Sequence, residues 1–132
     1  MMDYKMEDER NLRKADNRIL AIRKKNDALD EKIASEKIKL EKLTDMQESV
    51  DAIVENINEC IDLLSKSIKG PNTENIFNDM YATNKTFQVN VSTNIENSQT
   101  DIKSRIDRMY KEKDRILEKS REIGIKRTNQ AE

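Results

Sequence analysis

The sequence predicts an all-α protein, a long antiparallel two-helix hairpin. Three observations predict it: a 3-4 apolar repeat through the first half, one Gly-Pro breaker near the middle, and a second run of apolar residues at helical spacing. Of the 132 residues, 39% are charged and 35% hydrophobic, too polar a balance for an ordinary compact globule. The apolar residues must therefore be spent along narrow seams. The length predicts a single helical-hairpin domain over 1–132, turning at about 70–72, with frayed termini.

The first helix rests on the strongest pattern. Alternating steps of three and four residues from Leu12 land on Leu12, Ala15, Ile19, Ile22, Asn26, Leu29, Ile33, Glu36, Leu40, Leu43, Gln47, Val50, Val54, Ile57, Ile61, Leu64 and Ile68. Fourteen of these seventeen positions are apolar, which predicts one helix over about 7–69. Its length would be on the order of 90 Å at ~1.5 Å per residue. The exceptions, Asn26, Glu36 and Gln47, are either simple tolerance in a long seam or devices that fix register and partner choice.

Ile68-Lys69-Gly70-Pro71-Asn72-Thr73 reads as a helix end and a new start. Gly70 is expected in the left-handed conformation after the last turn, Pro71 cannot continue the helix, and Asn72 or Thr73 can cap the second helix.

That second helix, over about 73–123, carries Phe77, Met80, Phe87, Val91, Ile95, Ile102, Ile106, Met109, Ile116 and Ile123, with an extra four-residue step between Ile102 and Ile106. Its stretch from Thr83 to Thr100 is rich in Asn, Thr, Ser and Val, mediocre helix formers, so helicity there depends on packing. Glu9 with Arg13, Asp101 with Arg105 and Asp107 with Lys111 are acid-before-base pairs that mark solvated faces.

A short connection makes the two helices antiparallel neighbours, pairing 10–42 with roughly 100–127 and 43–69 with 73–100. The two ends so formed differ in charge. Residues 10–42 hold eleven bases and six acids and residues 103–127 ten and five, whereas 43–65 hold six acids and no base and 70–100 three acids and one base. Such bipolarity would orient a partner. They differ also in apolar width: Ile53 and Cys60 flank the first-helix seam, and Ile76, Tyr81 and Val89 widen the opposing strip. Two helices cannot cover both widened faces, so further helices are expected to pack there. The expected contact residues are Ile53, Ile57, Cys60, Phe77, Met80, Tyr81 and Phe87.

Composition argues against chemistry. There is no His, which removes the commonest general base and most zinc sites, and no glycine-rich phosphate loop. No catalytic residue, metal or cofactor is expected. The near balance of 25 bases and 26 acids gives no reason to expect nucleic acid. No 18-residue apolar run exists for a membrane span, and no apolar segment follows the N-terminus as a signal peptide requires, so the expected location is cytoplasmic. Cys60, the one cysteine, has no internal partner and nothing basic within a helical turn, and reads as a small apolar residue in a reducing compartment.

Tyr110-Lys-Glu-Lys-Asp114 is a Tyr-x-x-x-Asp pattern late in the second helix, and Tyr4-Lys-Met-Glu-Asp8 spells it again near the start. Two long helices, a central turn ending in Gly70 and Tyr110 with Asp114 together resemble the YwqH-like small helical partners of LXG polymorphic toxins. Those are relatives of the WXG-type hairpins exported by type VII secretion in Gram-positive bacteria. Ile68-Lys69-Gly70 stands where that group carries Trp-x-Gly, and Arg121 stands where the wider export pattern has an apolar residue after Leu117. The resemblance implies a chaperone-like adaptor. Such a protein binds the helical N-terminal domain of a larger toxin, alone or with a second small helical protein, and promotes export by a signal-peptide-independent route, with Tyr110 and Asp114 as the export motif. The rival expectation is a structural coiled coil that self-associates through the same seam.

Overall fold

A computed structural model describes residues 2–131, with side-chain surroundings for residues 6–126 and Thr128. Two helices, α1 (Met2–Ser67) and α2 (Thr73–Ala131), pack against each other as an antiparallel hairpin. Both run further outward than their apolar repeats, to Met2 and Ala131. The first stops two residues short of Lys69, its last i→i−4 backbone bond running from Ile68 N to Leu64 O at 2.9 Å.

The connection is a Gly70–Thr73 turn in which Thr73 N and Thr73 Oγ1 both donate to Gly70 O, at 3.4 and 2.8 Å. Pro71 and Asn72 hold the two central positions, and Asn72, not Gly70, takes the left-handed conformation, at φ 65°. The expectation for Gly70 is thus corrected. A residue before proline is driven to extended backbone, so the reversal passes beyond Pro71 to Asn72, which tolerates positive φ better than other side chains. A methyl group on Gly70 would meet Thr73 Cγ2 at an ordinary 3.6 Å, so nothing there demands glycine. Asn72 O then accepts the first helical bond of α2, from Ile76 N at 3.2 Å.

Contacts divide the hairpin into two units, Met1–Lys37 with Ser104–Glu132 and Ile38–Lys103. The first, the terminal unit, has nineteen bases against fifteen acids; the second, the turn unit, has six against eleven.

In the terminal unit Leu12, Ala15, Ile19, Ile22 and Leu29 lie half-buried along α1, and Ile33, Ile106 and Ile116 are buried. Arg105 reaches across to Glu36 at 3.1 Å, and Lys113 Nζ donates to Asp30. That bond is the main reason the Lys113 ammonium is held above its ordinary pKa. The expected pair of Asp107 and Lys111 forms at 3.3 Å. Of the polar seam residues, Glu36 is thus paired, while the Oδ1 of Asn26 is buried with no hydrogen-bond partner among the described residues.

In the turn unit the inward line departs from the sequence expectation. Val54 and Ile61 are buried as expected, but Ile57, Leu64 and Ile68 are exposed, and Asn58 and Ser65 occupy the inward places instead. On α2, Met80 and Phe87 likewise turn outward, and Tyr81, Asn84 and Gln88 take the seam with Phe77, Val91 and Ile95. The consecutive four-residue steps fall at Val91, Ile95 and Gln99 rather than at Ile102 and Ile106. Polar satisfaction explains the shift. Asn84, 5% exposed, donates through Nδ2 to Val54 O at 3.0 Å and Asn58 Oδ1 at 2.9 Å. Gln47 donates to Ser92 at 2.9 Å, Gln88 to Asp51 at 3.2 Å and Tyr81 to Asp62. A buried amide left without partners would be costly, so the helix faces that can satisfy each other set the register.

Candidate protein-docking surface

The register that satisfies these polar groups leaves apolar side chains outside. Ile53 and Ile57 on α1 and Ile76, Met80 and Phe87 on α2 are between 38% and 55% exposed. With Ile61 and Asn84 as floor and Asp79 and Thr83 completing the wall, they line an open groove of about 660 Å³. Asp79 is the one charged residue of that lining. The acids of α1 lie elsewhere: at 100° per residue, Asp51, Glu55, Glu59 and Asp62 fall on the flank roughly opposite Ile53 and Ile57. The bonds of Tyr81 to Asp62 and Gln88 to Asp51 lie on that acidic flank. The turn unit therefore has an apolar side and an acidic side.

The predicted contact residues divide accordingly. Ile53, Ile57, Met80 and Phe87 come together in the groove. Phe77, 8% exposed, is spent in the interhelical seam. Tyr81 is half-buried and bound to Asp62; that hydrogen bond first, then partial burial and the Asp62 charge, raise its phenol above the ordinary pKa. Cys60 is an exposed free thiol beside the groove rather than in its wall. Sequence reasoning missed Asp79, Thr83 and Asn84. The signal for Asn84 was present: it stands seven residues from both Phe77 and Val91, a seam spacing hidden by its polarity. Ile68, Gly70 and Pro71 lie in the exposed connection at the end of the unit.

In the terminal unit, Tyr110, Asp114, Leu117 and Arg121 share one exposed flank of α2 at four-, three- and four-residue steps. Lys37 Nζ donates to Tyr110 Oη at 2.8 Å and stands 5.4 Å from its ring centroid. The second Tyr-x-x-x-Asp match lies partly outside the described residues, since it includes the side chain of Tyr4.

No protein-family model, curated protein or solved structure matches this chain.

Among the described residues, no group of three or more Cys, Asp or Glu side chains is placed to hold a metal ion. No described helix is long and apolar enough to cross a membrane. Among the described residues, eight apolar side chains are buried.

Proposed function

We propose that this chain is a non-catalytic partner protein that lends its two helices to a helical bundle with a larger effector. The apolar groove of the turn unit carries the reading. Its walls are contributed by both helices, its lining is apolar apart from Asp79, Thr83 and Asn84, and interface cores are similarly depleted of charge. An amphipathic helix presenting residues at i, i+3 and i+7 fits such a trough. The resemblance to the partners of LXG toxins supplies the class of effector. The occupant is then the helical N-terminal domain of such a toxin, and the adaptor brings it to the type VII secretion machinery.

The test is co-expression with an LXG-type N-terminal domain. The parent chain should co-purify with it, and Ile53→Glu combined with Phe87→Glu should abolish the complex while leaving the hairpin helical. Unchanged capture by the folded double variant would remove the groove from the interface. A second copy of the chain is the rival occupant, because a lining with one acid sets up little like-charge repulsion between copies. Light scattering of the chain alone decides this: a stable homodimer blocked by the same two substitutions would favour the structural coiled coil.

A further inference from the structure

The sequence of the turn unit contains two seams, and the structure uses the more polar one. Val54 and Ile61 belong to both. The apolar version completes the line with Ile57 and Leu64 on α1 and with Met80 and Phe87 on α2, all of which are exposed. The version adopted completes it with Asn58, Ser65, Tyr81 and Gln88. Adjacent helical residues are separated by 100°, so a rotation of each helix by about half that angle exchanges one version for the other. The apolar version would bury the walls of the groove.

Asn84 distinguishes the two. It lies near the seam in both, but only in the adopted packing does Asn58 face it as an acceptor at 2.9 Å, beside Val54 O at 3.0 Å. Rotated away from Asn58, its amide would be buried and under-satisfied. We infer that Asn84 is a positioning residue that holds the groove open, by tying the helix register to a bond that only the open packing can make. A polar residue at one seam position fixing register at the expense of stability has this physical basis. The inference takes its purpose from the reading of the groove as a docking face, but its test needs no partner, so the two fail separately.

The register can be read from thiol labelling of the full-length chain with a small maleimide. Cys60 lies between Ile57 and Leu64 on the outward side, and Ser65 faces the seam. Cys60 in the otherwise unchanged chain should label several-fold faster than a cysteine placed by Ser65→Cys in a Cys60→Ser background. Asn84→Leu, which is content in either packing, should slow Cys60 and speed position 65, each several-fold. General loosening would speed both positions, so the opposite signs identify a rotation. Unchanged rates, or faster labelling at both positions, in a chain that keeps its helicity would overturn the inference. Failure of both Asn84→Leu and Asn84→Ile to fold would overturn it too, because a seam with two packings accepts an apolar residue there.

Discussion

Lys37 and Tyr110, 73 positions apart in sequence, meet across the two helices: the ammonium donates to the phenol oxygen at 2.8 Å and lies 5.4 Å from the ring centroid. Both side chains are exposed, and an exposed cation–π contact is worth about 0.5–1 kcal/mol. Tyr110 is therefore tethered on one flank while Asp114, one turn on, is exposed beside it.

Replacing Tyr110 and Asp114 by Ala should lower stability by about 1 kcal/mol or less, since the lost contacts are superficial and Ala favours the helix. If the pair is an export motif, the doubly substituted chain should still capture its effector while secretion of that effector falls to background. Secretion at the parent level would reduce Tyr-x-x-x-Asp to a chance match.

Stability should decline at alkaline pH for two separate reasons. The Tyr81 phenol, bonded to Asp62, and the Lys113 ammonium, bonded to Asp30, both have pKa values raised above their ordinary 10.0 and 10.5. A group whose pKa is higher in the folded state contributes stability fully below its unfolded pKa, and loses it as pH rises through the folded value. Melting temperatures measured from pH 8 to pH 12 should therefore fall at the upper end, and Tyr81→Phe should make the fall shallower. An identical profile for that variant would deny the Tyr81 bond any role in folding.

Two isoleucines eight positions apart should behave oppositely in urea. Ile61, 2% exposed, is the most buried large side chain among the described residues, and Ile61→Ala should cost about 2–5 kcal/mol. Ile53, 49% exposed, should lose about 0.5 kcal/mol or less on the same change. Similar losses at both positions in the isolated chain would mean that Ile53 is already covered, by a second copy or by the rotated packing.

Asn26 offers a site for stabilisation. Its Oδ1 is buried without a partner among the described residues, and such an orphan costs about 1–3 kcal/mol. Asn26→Leu should raise the urea midpoint by an amount equivalent to about 1 kcal/mol or more. A lower midpoint would mean that the amide makes a bond worth keeping.

Much of the architecture was legible because the signals for it are local. The 3-4 spacing from Leu12 to Val54 marks the face that α1 turns inward, and every one of those positions is at least half-buried. Pro71 ends the first helix by chain chemistry alone, although the left-handed residue proved to be Asn72. The candidate surface was legible in part. Ile53, Ile57, Met80 and Phe87 were identifiable from excess apolar width, whereas Phe77 and Tyr81 could be assigned to seam or surface only once the helix rotation was known.

The sequence by itself determined the class of fold, the antiparallel pairing of two long helices, and the existence of more apolar surface than two helices can cover. Those come from periodicity and from one proline, properties each segment carries without reference to the other. Only the tertiary structure decided which faces the two helices of the turn unit turn toward each other. A heptad count ranks Ile57 above Asn58 because it scores hydrophobicity one residue at a time. Packing must also supply every buried amide with a partner, and the Asn84 bonds to Val54 O and Asn58 lie 30 and 26 positions apart, beyond the reach of any local pattern.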